Sequence, residues 1–422
     1  MLQEIKEYLH LMQSDSQEKQ RRNFLIIALL VLVALFFLNL FLFNDLISDD
    51  LIVRFHQSKL LFINNLSPYD DDVQNYLKNA LDELALNPNP KAFDFEIALP
   101  QLVYYLPFSF FPEADWGISL YSTITMFSYL IAVYLLFRVS RIEFSNSHGI
   151  ILFFLSILSL FMLRTIFAGE SNAVTFLIIV SIVYLVHHDK NLSAGILLGI
   201  AMFEAFTIPV LLLILFVGLF RSKKSVTIIW AFISSSLITL SMMIFDRNWL
   251  IGWLRNLFLQ PHTVPFLTFP EALTLRYGIP SFQLFSILSL LLIIWLVYEI
   301  WQNPFNSDYS WLWILGFGSI INYFLVIQAT DVSAIYLMIA QTIVISIWRE
   351  RTPNKKHFIL FIIMGINNLL MSAIYFIPII TLKDSFFNIY MFASSFLIIL
   401  NLYWLKRWAI IPFDYEKLNW DN

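Results

Sequence analysis

The chain has 422 residues, of which 59% are apolar and 13% are charged, and its mean hydropathy is +0.73. These values are typical of a polytopic membrane protein, not of the two or three soluble domains that the length would otherwise suggest. The absence of cysteine excludes a disulfide framework, a thiolate metal site and a cysteine nucleophile, and a net charge of −4 does not indicate a nucleic-acid partner.

The apolar runs are continuous and about 20 residues long, which predicts membrane-spanning α-helices. Residues 1–23 alternate apolar and charged positions and indicate a helix on the cytoplasmic membrane surface. The run Phe24–Phe43 follows Arg21 and Arg22, is longer than the apolar core of a signal peptide, and lacks a small-residue cleavage site. We interpret it as an uncleaved first span that leaves the N-terminus inside.

Residues 44–100 then form an outer loop that is too long to be a simple connection. Apolar residues at helical spacing predict an interfacial helix over Leu51–Asn65, and the turn Ser67–Asp70 predicts the start of a second short helix. Three prolines interrupt Phe95–Pro112, which favours an interfacial or re-entrant segment over a spanning helix.

Further spans follow, and their basic ends agree with the positive-inside rule. They are Trp116–Phe137, His148–Leu163, Asn172–Val186, Val226–Phe245, Phe282–Trp301, Trp311–Ile327, Val332–Trp348, Phe358–Ile380 and Phe386–Leu405. The run Ser193–Phe220 has cytoplasmic features at both ends and is too short for two crossings, which predicts two half-length helices broken near Glu204 and Pro209. A second large outer loop covers 246–280, while Gln302–Ser310 lacks the cations expected inside.

We therefore predict an all-α polytopic membrane protein of about 10–12 hydrophobic helices. Residues 24–405 form a single transmembrane domain, between the surface helix 1–23 and a cytoplasmic tail at 406–422. The protein is predicted to lie in the cytoplasmic membrane, with both termini in the cytoplasm. The 42 Phe and 12 Trp residues are expected mainly at lipid-facing and interfacial positions.

Two adjacent carboxylates, Asp49 and Asp50, follow the first span where lipid headgroups give way to water. A carboxylate at that depth can take a proton from the hydroxyl of an acceptor that arrives from the aqueous side. If a phosphate leaves as a stable anion, a single carboxylate suffices, whereas glycoside hydrolysis needs two. The alternative is that one of the two caps the helix beginning at Leu51.

Five cationic side chains are predicted on the outer side, where each could bind a lipid phosphate through charge-assisted hydrogen bonds. They are Arg54, His56, Arg164, His262 and Arg276. Snorkelling toward lipid headgroups is the alternative for each of them. Arg164 is the strongest candidate, because it ends a span beside the segment Gly169–Asn172.

Glu204 lies within a hydrophobic stretch, where a charge costs about 3 kcal/mol and a functional role is the default hypothesis. The alternative is a structural role beside the helix break at Pro209. The run Asp70–Asp72 has a spacing that can hold a divalent cation, but helix-start chemistry is favoured after Ser67 and Pro68. We therefore expect no resident metal and no cofactor.

Four stretches, taken in order, resemble the bacterial polyprenyl-phosphate-dependent glycosyltransferases of the GT-C superfamily, in the mannosyltransferase-like group of integral membrane proteins. They are Asp50 with Pro68-Tyr69-Asp70, Leu99-Pro100-Gln101-Leu102 through Phe111-Pro112, Gly169-Glu170-Ser171-Asn172, and Ala194-Gly195-Ile196-Leu197-Leu198-Gly199 with Pro209. The resemblance covers residues 24–225. It departs from the family pattern at Glu170, where the family has Gln, and at Glu204, where the family usually has Lys.

The resemblance implies a membrane glycosyltransferase that moves a sugar, mannose or another hexose, from a polyprenyl-phosphate donor to a lipid-linked or extracytoplasmic acceptor with inversion. Asp50 matches the family's loop acid and would be the general base, with Asp49 as a close competitor. The residues that would line the substrate site are Tyr69, Asp70, Glu170, Asn172 and Glu204. Without the family's Lys, this chain would hold the donor phosphate in another way or use another donor.

Two other classes of function are alternatives. A flippase or transporter of lipid-linked saccharides predicts ionisable residues along a central path through several spans, whereas the charges here gather on one face. A polysaccharide polymerase or ligase usually has its large outer loop late in the chain, and here the longest outer loop comes first.

Overall fold

The structure is a computed structural model that describes residues 29–43, 50–67, 98–111, 114–140, 171–205, 207–259, 281–305, 308–325, 331–351 and 397–406, together with residues 69, 73, 75, 77, 142, 159, 169, 366, 394 and 395. Four predicted segments lie wholly or almost wholly outside the described residues. They are the surface helix 1–23, the span His148–Leu163 except Ser159, the span Phe358–Ile380 except Ile366, and the tail beyond Lys406.

The regular elements of the described residues are all helical, which confirms the predicted all-α class. The α-helices in chain order are α1 (Leu29–Phe41), α2 (Asp50–Asn64), α3 (Ala114–Val139), α4 (Asn172–His187), α5 (Asn191–Ala201), α6 (Pro209–Arg221), α7 (Ser225–Met242), α8 (Trp249–Leu259), α9 (Ser281–Gln302), α10 (Asp308–Leu325), α11 (Leu337–Arg351) and α12 (Leu397–Lys406). Short 3-10 helices cover Leu99–Tyr104, Leu106–Phe108, Met202–Glu204 and Asp331–Tyr336. Within the described part of the segment with three prolines, Pro100 and Pro107 lie in 3-10 helices.

Two of the described helices, α3 and α7, are long and apolar enough to cross a membrane by length and composition. Helices α7 and α9 also carry rows of exposed large apolar side chains. These are Val226, Ile229, Phe232, Ile233, Leu237 and Leu240 on α7, and Leu290, Leu291, Ile294 and Val297 on α9. Apolar rows of this extent are unfavourable in water and fit contact with lipid chains.

The segment between α4 and α7 folds into two half-length helices, as predicted. The 11 residues of α5 rise about 16 Å, roughly half of a bilayer's hydrocarbon thickness. A 3-10 turn ends at Glu204, and α6 begins with Pro209, which suits a helix start because its missing N–H needs no partner there. Asn322 of α10 forms hydrogen bonds with backbone groups at the break. Its amide N–H donates to the Thr207 carbonyl (2.9 Å), and its Oδ1 accepts from the Val210 N–H (3.1 Å).

Glycines on α5 let it lie very close to α7. A Cβ at Gly195 would be 2.6 Å from the Thr227 carbonyl oxygen, and a Cβ at Gly199 would collide with the Ser234 hydroxyl. Two glycines four residues apart form the small-residue pattern that brings membrane helices together. The close packing of α5 against α7 therefore explains why Gly195 and Gly199 are glycines.

Cations at one end of the bundle bind the C-terminal carbonyls of neighbouring helices. The Lys224 ammonium donates to the Val186 carbonyl near the end of α4 (2.6 Å), and the Arg221 guanidinium donates to the Ile300 carbonyl near the end of α9 (2.8 Å). A helix C-terminus has open carbonyls and partial negative charge, so a cation stabilises it. The connection Gln302–Ser310 lacks the cations expected for a cytoplasmic connection. Arg221 of α6 supplies a positive charge beside it.

Several of the largest aromatic side chains form the core, which corrects the expectation of mainly lipid-facing positions for those residues. Trp249 and Trp313 are completely buried, as are Phe137, Phe176 and Phe317. Each tryptophan needs a partner for its indole N–H when buried. Trp313 donates to the Leu402 carbonyl (2.7 Å), which fastens α12 to α10, and Trp249 donates to the Thr239 carbonyl (3.3 Å).

Candidate functional site

The candidate site lies at the end of the bundle opposite the helix-capping cations. Helix α4 runs from Asn172 at this end to His187 at the basic end, and the turn between α5 and α6 returns to it. The start of α2 and the 3-10 helix Leu99–Tyr104 lie at the same end. Four separate pieces of chain therefore converge there.

Glu204 is the ionisable residue at the centre of this region, with 3% of its surface exposed. Ser171 donates to its Oε1 and Thr207 donates to its Oε2, each at 3.4 Å. The side chains of Gln101 and Thr175 also lie within hydrogen-bonding reach of the carboxylate, and the Thr175 hydroxyl donates to the Ser171 carbonyl (3.4 Å). All four partners are neutral donors, and no salt bridge to Glu204 occurs among the described residues.

Local structure explains how each donor reaches Glu204. Ser171 immediately precedes α4, and Thr207 follows in the helix break, where its N–H donates to the Glu204 carbonyl (2.9 Å). The Gln101 Oε1 accepts from the Ala98 N–H (2.9 Å), so its amide nitrogen is the atom that can donate to the carboxylate. The cluster is thus assembled from a 3-10 helix, the start of α4 and a broken helix.

Two further polar residues border the cluster. Burial raises the pKa of the Tyr104 phenol, and the nearby Glu204 carboxylate raises it further, so this phenol stays protonated. Asn172 is buried, and its Oδ1 accepts a hydrogen bond from the Tyr336 hydroxyl (3.1 Å). Asn172 therefore joins the start of α4 to the 3-10 helix Asp331–Tyr336.

A tight contact places the start of α2 against this cluster. Gly169 has a φ of +66°, and a Cβ added to it would lie 2.8 Å from the Cβ of Leu51. The Ser58 hydroxyl donates to the Leu102 carbonyl (3.1 Å) and fastens α2 to the 3-10 helix. The helix predicted over Leu51–Asn65 is present as α2, which begins at Asp50, one residue earlier than predicted.

Two of the predicted cations lie on α2. The Arg54 guanidinium donates to the Gln57 Oε1 (3.0 Å). Burial and the charge of Lys59 lower the pKa of His56, so its imidazole is neutral near pH 7 and can act as a hydrogen-bond donor. Asp50 and Arg54 are four positions apart in the helix and share one face.

Tyr69 lies at a contact between the two predicted outer loops. Its ring packs on Gly252 of α8, and the Ser67 hydroxyl donates to the Asp246 carboxylate (2.6 Å). Burial and then Asp246 raise the pKa of Tyr69, which keeps its phenol protonated. Helix α8 lies within the region that the sequence indicated only as a second outer loop.

The structure thus brings Asn172, Glu204 and the first turn of α2 together. Arg54 and His56 lie further along α2. Tyr69 lies where its loop packs on α8. Six other predicted site residues lie outside the described part of the chain. They are Asp49, Asp70, Arg164, Glu170, His262 and Arg276. The donors Thr175 and Thr207 carried no sequence signal, whereas Gln101 and Ser171 stand inside the quoted family-like stretches.

A comparison with protein families matches residues 100–277 to the model of glycosyltransferase family 87, a family of GT-C-type membrane glycosyltransferases. The matched region includes Gln101, Ser171, Thr175, Glu204 and Thr207. Searches of curated proteins and of solved structures returned no match. The family match confirms the GT-C resemblance and supports a membrane glycosyltransferase.

Proposed function

We propose that this membrane glycosyltransferase transfers a sugar, mannose or another hexose, from a polyprenyl-phosphate donor to a lipid-linked or extracytoplasmic acceptor. The match to glycosyltransferase family 87 supports the reaction class, and the apolar surfaces of α7 and α9 support a substrate that is carried in lipid. The donor, acceptor and catalytic residue are our inference from the geometry and from the family resemblance.

The observation that carries this proposal is the packing of Leu51 against Gly169. It sets the first turn of α2, which begins with Asp50, beside the turn that leads to Ser171 and Glu204. An acid from the first loop and a buried polar cluster therefore share one end of the bundle. A glycosyl transfer site needs both a base and hydroxyl-binding groups at one place.

In the proposed reaction Asp50 takes the proton of the acceptor hydroxyl, with Asp49 as the alternative base. The acceptor oxygen uses the freed electron pair to attack the anomeric carbon from the face opposite the phosphate. The bond between the anomeric carbon and the phosphate oxygen breaks, and its electron pair leaves with the polyprenyl phosphate. Since this anion is stable without protonation, one carboxylate is enough, and the anomeric configuration inverts.

The donor phosphate would lie along α2. Arg54 is one helical turn after Asp50, and a guanidinium can bind a phosphate by paired charge-assisted hydrogen bonds. Neutral His56 would donate one further hydrogen bond. Arg164, His262 and Arg276 remain proposed phosphate ligands from the other outer segments, and Tyr69, Asp70, Glu170, Asn172 and Glu204 are proposed to line the substrate site.

We also propose the orientation of the protein in the membrane. Cations that cap helix ends, Arg221 and Lys224 among them, gather at the end opposite Glu204, and the positive-inside rule assigns that end to the cytoplasm. The site would then face the extracytoplasmic side, where acceptors of the cell envelope are found. The N- and C-termini would be cytoplasmic.

The test is sugar transfer by purified full-length protein in nanodiscs, with a panel of polyprenyl-phosphate sugars and a membrane lipid extract as acceptor. We expect Asp50→Asn to lower turnover by about 10²- to 10⁴-fold, the usual contribution of a general base, while donor binding persists. Asp49→Asn separates the two candidates. Asp115→Asn is the matched control, because Asp115 is an exposed acid in the first turn of α3.

If the wild-type protein consumes no donor, the proposed donor class is refuted and a flippase or a polymerase is favoured. Wild-type turnover in both Asp49→Asn and Asp50→Asn would refute the assignment of the base to this loop.

A further inference from the structure

A cavity of about 200 Å³ lies at the basic end of the bundle, far from the Glu204 cluster. It opens between the ends of α3, α4 and α6 and the start of α10. Its deeper wall is apolar and includes Val139, Val183 and Leu215, while Lys224, His187 and Ser222 line its polar part. The proposed sugar transfer uses none of these residues.

Lys224 is the cation in the cavity lining, and the two connections that carry it and border the cavity have a net positive charge. The two connections that border it, residues 187–191 and 221–225, contain Lys190, Arg221, Lys223 and Lys224 and a single acid, Asp189. Asp189 is paired with Lys224 at 2.9 Å, so the remaining cations are not neutralised within these connections. The excess of cations in these two connections favours an anion over a cation beside the cavity.

Lys224 is the residue that links this charge to the cavity. Its ammonium has three N–H donors, of which one reaches the Val186 carbonyl (2.6 Å) and one reaches the Asp189 carboxylate (2.9 Å). The third donor is left for a ligand, and 23% of the side chain is exposed. The two protein contacts hold the ammonium in place, so little side-chain entropy is lost on binding.

The size and the lining of the cavity select the class of ligand. Pockets for whole drug-sized molecules are usually about 300–1,000 Å³, whereas an apolar cavity of about 150 Å³ accepts a benzene ring. A volume of about 200 Å³ therefore suits a phosphate group with the first methylenes of a chain. The cations would bind the phosphate, and the valine and leucine wall would bind the chain.

We propose that this cavity is a binding site for an anionic phospholipid headgroup, with Lys224 as the principal phosphate ligand. A phospholipid is the occupant that the surroundings favour, because the protein lies in a bilayer and the cavity opens among helix ends at its basic face. This site is separate from the sugar-transfer site and does not depend on its chemistry.

The experiment uses delipidated full-length protein in detergent, titrated with phosphatidylglycerol or phosphatidylcholine. Native mass spectrometry counts the bound lipids, and thermal unfolding reports the stabilisation that a ligand of the folded state produces. We expect phosphatidylglycerol to bind in excess of phosphatidylcholine. Lys224→Gln should weaken phosphatidylglycerol binding by about tenfold or more, the value of a charge-assisted hydrogen bond.

Two variants separate a built site from general surface charge. Lys190→Gln removes one cation from the adjoining connection 187–191, outside the cavity lining, and should bind phosphatidylglycerol like wild type. Val183→Phe fills the apolar wall, keeps every cation, and should lose the bound lipid. If Lys224→Gln does not fold, phosphatidylglycerol binding by Val183→Phe tests the proposal.

Three results would overturn the proposal. Equal losses in Lys190→Gln and Lys224→Gln would indicate unspecific attraction to the basic surface. Equal binding of phosphatidylcholine would remove the need for an anionic headgroup. Stabilisation by inorganic phosphate alone, equal to that by phosphatidylglycerol, would show a free-phosphate site instead of a lipid site.

Discussion

Two glutamates, Glu204 and Glu299, are both buried in this helical protein, but different groups satisfy them. Glu299, on α9, is completely buried and forms an ion pair with Lys406 (2.6 Å). Glu204 is bonded by neutral hydroxyl and amide donors. The two residues lie at opposite ends of the bundle.

The surroundings of Glu299 suit a permanent structural pair. Trp295 donates its indole N–H to the Glu299 carboxylate (3.2 Å). The Lys406 ammonium lies within 6 Å of three aromatic rings, those of Tyr298, Trp313 and Tyr403. Because Lys406 ends α12, this pair helps to hold the C-terminal helix against α9 and α10.

The surroundings of Glu204 suit exchange. Hydroxyl groups such as those of Ser171 and Thr207 can rotate, and at 3.4 Å their hydrogen bonds are long. A substrate hydroxyl can replace them without separating a buried ion pair. We propose from this contrast that Glu299 is structural, whereas Glu204, whose partners are neutral, is available to bind a substrate hydroxyl.

The largest effect on stability is expected when the ion pair is broken. Lys406→Met leaves Glu299 buried without its counter-charge and should lower the free energy of unfolding by about 3–5 kcal/mol. The measurement is denaturant unfolding of the full chain in detergent. Adding Glu299→Leu should restore most of that loss, because replacing both partners by apolar groups is often neutral.

Wild-type stability of the Lys406→Met single variant would show that the pair does not hold α12.

A smaller effect, on activity instead of stability, is expected at the other glutamate. Glu204→Gln keeps the shape and hydrogen-bonding capacity of the side chain, so the free energy of unfolding should change by less than about 1 kcal/mol. Turnover should fall about ten- to hundredfold if the charge binds a substrate hydroxyl. Both quantities are measured on the same preparation.

Glu299→Gln is the opposite case, and it should destabilise the protein while the folded fraction keeps its turnover. A loss of stability in Glu204→Gln with unchanged turnover would make Glu204 structural and end the contrast.

The smallest expected effect concerns His56, whose pKa is affected by burial and by the like charge of Lys59. These lower its pKa in the folded state below the ordinary value, so protonation favours unfolding. Its stabilising contribution is complete above about pH 6.5 and is lost as the pH falls through the lowered pKa. Thermal unfolding between pH 7 and pH 5 should show this loss, and His56→Gln should lack that part of it.

A His56→Gln variant with the same pH dependence as wild type would exclude His56 as its source.

Much of the fold could be predicted because it depends on local patterns. Continuous apolar runs predicted α3, α4, α7, α9 and α10, and Pro209 with short flanking runs predicted the broken helix. Helix α8 was missed, since its Trp-rich amphipathic stretch lies inside a polar loop and resembles interfacial sequence.

The site could be predicted only in part. Glu204 was recognisable because an acid within an apolar run is costly and therefore indicates a role. Its donors were not, since Thr175 and Thr207 are common residues whose hydroxyls matter only where the chain brings them. Gln101 comes from a turn about a hundred residues earlier in the sequence.

The sequence by itself determined the class of the protein, because hydropathy and length decide whether a segment prefers lipid or water, and this preference is local. Tertiary structure alone decided which glutamate has a cation and which has hydroxyl groups. Lys406 reaches Glu299, and Ser171 reaches Glu204, across long intervals of chain. Such contacts depend on how helices pack together, and packing is a property of pairs of segments that no single segment encodes.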